Sequence, residues 1–330
     1  MATPPTQSGW LIQRPGGPHG NFELMNSASG TFHDRSQFAT SIPHYWYDQA
    51  DWVAATAPWH LSENVRRPES PRSFAGASLI LSSYGNLECV ALQPSGPMVH
   101  FALLGVLGWH RIAFVAPGGV LGFPPAFIQS RFGRPDRGNF EVVVPSVGGG
   151  LMHLFRDNAN DEPTWQDAAS PARPQMGPWE GVSLLHSSFG NLEIVGVMGG
   201  RLTFLWQNGP GGPWSDPVVI DRDLEVRGRP GFIQSPYGGV GNFEVAVALR
   251  DGRFAHFWRN NDDPNHPWSR PVIFGDLDEG PMDDVSIIHT SFGQLDVVAR
   301  AAGSSTVVHF RAPRAAPWTR ATVGPVLSVT

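Results

Sequence analysis

The chain contains no lysine: all 23 of its Lys/Arg residues are arginine. That excludes Schiff-base chemistry and any lysine nucleophile. A single cysteine, Cys89, excludes an intrachain disulfide. The net charge is −6 and no basic stripe runs along the chain, which argues against nucleic acid as a partner. No apolar run reaches the roughly 18 residues of a helical membrane span, so no membrane is expected. The start MATPPTQSGW has no basic segment followed by an apolar one, and no Asn-x-Ser/Thr sequon occurs. The expectation is a soluble, cytoplasmic protein. Ser-His-Asp arrangements, HExxH, Cys-x-x-Cys and phosphate-cradling glycine loops are all missing, and neither a metal nor a cofactor is expected.

Glycine (38) and proline (31) are abundant, yet 41% of residues are hydrophobic and 12 are tryptophan. Many turns combined with many aromatics read as short strands in an all-β protein. A marker, Gly-Asn-Phe/Leu-Glu, recurs at Gly20, Gly85, Gly138, Gly190 and Gly241, with a drifted GQLD at Gly293. Each unit has the same grammar. An apolar run precedes the marker, the marker opens a second, a glycine turn leads to a third, and a polar loop leads through Pro-Trp to a fourth. Four strands in about 50 residues make a propeller blade. The runs are continuously apolar because a blade is covered on both faces.

The sequence therefore predicts a six-bladed β-propeller with four antiparallel strands per blade, spanning 1–330 as one domain. Blades are placed at about 10–70, 71–123, 124–180, 181–229, 230–283 and 284–330. Odd units begin WLIQ, AFIQ and GFIQ, whereas even units begin SLIL, SLLH and SIIH. The chain thus repeats in three odd/even pairs. Each end supplies all the strands of its own blade, so closure is expected by packing of unit six on unit one.

Glu23, Glu88, Glu141, Glu193 and Glu244, with Asp296, occupy one place in every unit. A catalytic carboxylate need occur only once, so these read as buried architecture. His44, His100, His153, His256 and His309 recur on the third strand, with Phe204 in the sixth place, and read as satisfied core histidines. The Pro-Trp tryptophans have the spacing of blade-edge packing; a lectin with one sugar site per blade would also use a repeated Trp and Arg. DNANDEP (Asp157) and RNNDDPNHP (Arg259) lack the glycine-kinked spacing of a calcium loop and read as polar turns.

Functional asymmetry is expected where innermost strands face the channel. Aligned there are Gln13, Leu81, Gln129, His186, Gln234 and His289. Burying an unpaired amide or imidazole costs several kcal/mol, roughly 2–7, so this ring is expected to open on water or on a ligand. The alternative is a plugged channel in which Gln and His satisfy one another. An insertion in unit one, Ser27 to Pro43, carries Phe32 and Phe38, the stretch after Tyr47 carries Trp52, and with Tyr45 between them these aromatics read as a lid.

The stretch GNLEIVGVMGGRLTFLWQNGPGGPW resembles the fucose-specific-lectin-like β-propeller superfamily, whose units open on Gly-x-Leu-Glu-Val and end in Gly-Gly-Trp. Some fungal members of that superfamily resemble hetero-Diels-Alderases of tropolonic sesquiterpene pathways. The resemblance implies a cofactor-free pericyclase of secondary metabolism acting on one small-molecule substrate. From their place in the ring and the lid, and not from any motif of that superfamily, Gln13, Gln129 and Gln234 would hold its oxygens, His186 or His289 would donate a hydrogen bond or remove a proton, and Leu81, Phe38 and Trp52 would enclose it. The rival reading is a carbohydrate-binding lectin with sites between blades; a third is a scaffold with no ligand.

Overall fold

The structure, a computed structural model, describes residues 9–14, 21–25, 41–47, 60–66, 74, 76–93, 97–116, 123–146, 148–173, 176–302, 306–314 and 316–321. The first sheet holds β1 (Leu11–Arg14), β2 (Asn21–Met25), β3 (Ser41–Tyr47) and β4 (His60–Arg66). The second holds β5 (Gly76–Leu81), β6 (Leu87–Leu92), β7 (Met98–Leu103) and β8 (Trp109–Ala116). The third contains β9 (Ala126–Gln129), β10 (Phe140–Pro145), β11 (Leu151–Arg156) and β12 (Trp165–Asp167). The fourth contains β13 (Trp179–His186), β14 (Leu192–Met198), β15 (Arg201–Gln207) and β16 (Val218–Val219). The fifth is β17 (Val226–Gln234), β18 (Phe243–Leu249), β19 (Phe254–Arg259) and β20 (Val272–Phe274). The sixth is β21 (Met282–His289), β22 (Gln294–Ala301), β23 (Val307–Pro313) and β24 (Thr319–Arg320), joined to the fifth by one parallel bridge between Arg229 of β17 and Asp284 of β21.

Within each sheet, neighbours in sequence pair antiparallel, in register with the repeat: Ile194 faces Leu184 on one side and Leu205 on the other. The marker makes the turn between first and second strands. Gly190 adopts φ 80°, a conformation open to glycine at little cost, and Ser187 N–H donates to Asn191 O at 2.9 Å.

The first strands form the inner ring. β1 lies beside β5, β5 beside β9, and so on through β13 and β17 to β21, which returns to β1. Six apolar clusters fill the seams, one per neighbouring pair of sheets. Both faces of the middle strands are consequently buried, as in β18, where every residue is buried. The molecule is a six-bladed β-propeller. Closure is by packing: Trp10, Leu11, Phe22 and Leu24 of blade 1 meet Ile288 and Val298 of blade 6.

The centre is not an open cup at the end where the first strands begin. Arg229 of blade 5 is buried and donates to Ala77 O of blade 2 and Pro125 O of blade 3. It also pairs with Asp284 of blade 6, Nε–Oδ1 at 2.7 Å. Only a group near the axis can reach blades so far apart. Arg300 donates to the second oxygen of Asp284 at 2.9 Å. Blade 4 presses on the same residue, since a Cβ at Gly181 would lie 2.6 Å from Arg229 Cα. An arginine with bidentate carboxylate and carbonyl acceptors is the buried cation that costs least.

Candidate functional site

At the other end of the first strands the aligned polar ring is present, but its amides are engaged. Gln129 of blade 3 accepts from Ser83 N–H of blade 2 at 2.6 Å and donates to Ser83 Oγ at 2.9 Å and to Arg137 O. Gln234 of blade 5 does the same to blade 4: it accepts from Ser188 N–H at 2.8 Å and donates to Ser188 Oγ at 2.7 Å. Gln13 of blade 1 closes the propeller on blade 6, accepting from Ser291 N–H and donating to Ser291 Oγ, each at 2.9 Å. All three amides bond to the serine turn of the neighbouring blade. A glutamine at the start of each odd blade clamps the serine turn of the even blade before it, and the threefold repeat of WLIQ, AFIQ and GFIQ is the repeat of that clamp.

The histidines differ. His186 Nδ1 accepts from Arg131 N–H of blade 3 at 2.6 Å, and its ring lies 4.7 Å from Phe132. Burial first, and Arg131 second, lower its pKa to about 4, so the ring is neutral near pH 7. His289 packs edge-on against Tyr237 at 5.2 Å, with Nε2 buried and without a partner among the described residues; burial also lowers its pKa. Desolvation weakens both imidazoles as bases. Leu81 packs into the cluster between blades 1 and 2. Phe32, Phe38 and Trp52 lie outside the described residues.

A second, more telling arrangement runs through the seams. In five blades the marker carboxylate holds the third-strand histidine by Nε2. Glu23–His44, Glu88–His100, Glu141–His153 and Glu244–His256 are each 2.9 Å, and Asp296–His309 is 2.6 Å. The other carboxylate oxygen takes the first-strand hydroxyl where the residue is serine, as with Ser82, Ser130 and Ser235. The histidine ring then packs edge-on against the next blade's tryptophan: His44 on Trp109, His100 on Trp165, His153 on Trp214, His256 on Trp318. Carboxylates, histidines and tryptophans are thus the fastening between blades.

Blade 4 breaks the pattern. Phe204 replaces the histidine and still meets Trp268 edge-on at 5.7 Å. Glu193 keeps Ser187 Oγ on Oε1 at 3.0 Å, but its Oε2 is buried with no hydrogen-bond partner among the described residues. Burial raises the Glu193 pKa to about 7 against the opposing pull of Arg259. Arg259, from the third strand of blade 5, is itself buried. Its Nε donates to Asn261 at 2.7 Å, and its guanidinium lies 4.1 Å from the Phe243 ring centre, 5.1 Å from Phe204 and 5.9 Å from Phe189. It forms no ion pair with a carboxylate among the described residues. Phe189 is 40% exposed and has His266 beside it at 5.5 Å. His266 is the one described non-glycine residue in the left-handed region, at φ 46°.

The homologous seam between blades 2 and 3 is built alike but bridged. Tyr84 is half-exposed against Phe140, and Arg156 lies over Phe140 at 5.4 Å. There, however, Arg156 Nη1 donates to His100 Nδ1 at 3.4 Å while His100 Nε2 faces Glu88, so an imidazole bridges the cation and the carboxylate. Phe204 stands out in the sequence as the sixth-place exception; the arginine one blade away recurs only as Arg156 in blade 3, too weak a repeat to single it out.

The polar loops are structural. Asn158 and Asn261 donate to the marker carbonyls Gly138 O and Gly241 O at 2.8 and 2.6 Å, and Asp262 accepts from Gly239 and Val240 N–H. A cleft of about 540 Å³ at the outer edge of blades 5 and 6 is lined by Arg253, Asp276, Leu277 and Glu279, and crossed by an Arg320–Glu279 pair at 2.9 Å. Among the described residues no group of three His, Cys, Asp or Glu is placed to hold a metal.

No family model matches the chain, and no curated protein sequence matches it. Solved structures do. Aleuria aurantia lectin, in a variant solved with alpha-methyl-L-fucoside, superposes with a TM-score of 0.66 at 12% identity, covering 98% of both chains. Another structure of that lectin is described as having a six-bladed β-propeller fold and a novel fucose recognition mode. BP39L lectin from Burkholderia pseudomallei gives 0.64 at 17% identity, covering 93% of this chain and 81% of that one. AofleA from Arthrobotrys oligospora gives 0.62 at 12% identity, covering 97% and 87%. At such identities the likeness is one of fold.

Proposed function

We propose that the protein is a carbohydrate-binding propeller whose sites lie in the seams between even and odd blades. The observation that carries this reading is the repeated grouping at those seams: a half-exposed aromatic ring, Tyr84 or Phe189, beside a desolvated arginine on the following blade. An aromatic face takes the apolar face of a sugar ring, and a guanidinium with fixed geometry takes its oxygens in pairs. Lectins solved with fucosides share the fold along nearly the full length of both chains, which supports the same reading.

The rival, a cofactor-free pericyclase with a central pocket, has less behind it. It needs the amides of Gln13, Gln129 and Gln234 free to hold substrate oxygens, and each is engaged by the adjoining serine turn. A small-molecule partner is common to both readings.

The test is a glycan array probed with the full chain. Specific binding, retained in the His186→Ala/His289→Ala variant and weakened by Phe189→Ala or Tyr84→Ala, is the expected result. An array without a hit, or binding lost with the two histidines and unmoved by the aromatic substitutions, would overturn it.

A further inference from the structure

The turn from first to second strand in blade 3 carries Arg131, Arg134 and Arg137 against one carboxylate, Asp136. The turns at the same place in blades 2, 4, 5 and 6 contain no charged residue. Three arginines less one aspartate leave two excess positive charges on a chain whose net charge is −6. All four residues are exposed, while Phe132 between them is buried. The backbone of the turn is held from both sides. Arg131 N–H donates to His186 Nδ1 of blade 4 at 2.6 Å, and Arg137 O accepts from Ser83 Oγ of blade 2 at 3.4 Å and from the Gln129 amide. Within the turn, Arg137 and Gly138 N–H donate to Arg134 O at 3.1 and 2.8 Å, and Asn158 holds Gly138 O at 2.8 Å. Two members of the polar ring, Gln129 and His186, thus fix an arginine turn in place. Asp136 offsets the charge only in part. It meets Arg134 Nε at 3.3 Å and Arg137 Nε at 3.7 Å, exposed pairs of the kind that contribute little. The terminal nitrogens of both guanidiniums have no hydrogen-bond partner among the described residues.

We infer that the blade 3 turn is a second contact surface, outside the seams, for acidic polysaccharides whose sulfate or carboxylate groups pair with Arg134 and Arg137. This rests on the carbohydrate-binding reading and adds a ligand class to it. A guanidinium presents its terminal nitrogens as a planar fork that matches two oxygens of either acid group. Arg131, on the same turn, adds to the local positive field. The size of the patch selects among polyanions. Nucleic-acid binders commonly neutralise about 6–10 phosphates, and juxtamembrane basic clusters gather about 4–8 Lys or Arg. Two excess charges fall short of both, and the buried Phe132 offers nothing to insert into a bilayer. A saccharide chain carrying spaced single acids needs no more than this.

The experiment is biolayer interferometry of the full chain on dextran sulfate, polygalacturonate and neutral dextran, over a series of salt concentrations. It compares wild type with Arg134→Ala/Arg137→Ala and with Asp136→Asn. These side chains are exposed, and their replacement leaves the backbone bonds of the turn in place. Binding to at least one acidic polymer is expected, weakening as salt rises, with none to neutral dextran. The double variant is expected to lose about tenfold or more in affinity, and Asp136→Asn, which removes the competing carboxylate, is expected to bind more tightly than wild type. Whichever polymer binds more tightly identifies the acid group. Neutral-glycan hits on an array are expected to be unchanged in the double variant. No binding to either polymer at low salt, binding unmoved by the double substitution, or equally tight binding of single-stranded DNA overturns the inference. If neutral glycans still give hits, the carbohydrate-binding reading survives that failure; an array without a hit of any kind overturns both.

Discussion

Phe204 stands in blade 4 where His100 stands in blade 2, and each meets the tryptophan of the following blade edge-on, Trp268 at 5.7 Å and Trp165 at 5.8 Å. The packing survives the replacement; the polar connection does not. Glu88 has an imidazole on Oε2 at 2.9 Å, and Glu193 has no hydrogen-bond donor there among the described residues.

That difference has a pH signature. Burial raises Glu193 from 4.5 to about 7, so the folded chain holds this proton more tightly than the unfolded chain. The associated stability is complete below about pH 4.5 and is lost as pH rises through about 7, a change of roughly 3 kcal/mol. Glu193→Gln keeps an acceptor for Ser187 Oγ and removes the buried charge. It is expected to exceed wild type in stability by about 1–3 kcal/mol at pH 8 and to match it near pH 5. Urea denaturation at the two pH values measures this, and a variant less stable at pH 8 would contradict it.

The histidine pairs predict the opposite response. His100→Phe recreates the blade 4 situation in blade 2 and leaves Glu88 buried without its imidazole. Removing one partner of a buried pair costs about 3–5 kcal/mol, and the loss is expected to be smaller at pH 5, where the orphaned carboxylate can take a proton. Thermal melts at pH 5 and pH 8 decide it; an equal loss at both would mean that ring packing, not the pair, sets the cost.

These cases show what could be read from the sequence. The six units, their four strands and the odd/even alternation were legible because a propeller repeats its physics: the same turn at Gly190 and Gly241, the same carboxylate at Glu141 and Glu244. For the same reason the glutamates, histidines and Pro-Trp tryptophans were correctly read as architecture. The partners of the glutamines were not legible. Gln129 and Gln234 looked exposed to a channel because an amide in an apolar run needs a partner, and the partners, Ser83 and Ser188, lie 46 residues away on another blade. Seam contacts of that kind leave no local pattern. Arg229, which joins blades 2, 3, 5 and 6, occurs once and follows no period, so nothing in the chain singled it out.

The glutamine clamp can be tested directly. Gln234→Leu leaves Ser188 N–H without its acceptor at a buried seam, at a cost of about 1–3 kcal/mol. Hydrogen exchange at Ser188 is expected to accelerate along with that of the turn at Val240, while turns on blade 2 keep their protection. Unchanged exchange at Ser188 would mean that the amide is not a clamp.

His186 sets part of the acid limit of the fold. Its pKa is lowered to about 4, by burial and then by Arg131, so the neutral ring belongs to the folded state. The stability it confers is present above the unfolded value of 6.5 and is lost as pH falls towards about 4. His186→Gln, which keeps a side-chain acceptor for Arg131 N–H, is expected to flatten the stability profile between those limits. A profile of unaltered slope would place the titrating group elsewhere.

The account turns on whether ligands meet this propeller in its seams or at its axis. Calorimetric titration of one array-selected glycan into wild type, Phe189→Ala and Gln129→Leu separates the two. Seam binding predicts an affinity reduced tenfold or more by Phe189→Ala and unaltered by Gln129→Leu. Affinity lost with Gln129 and indifferent to Phe189 would contradict it.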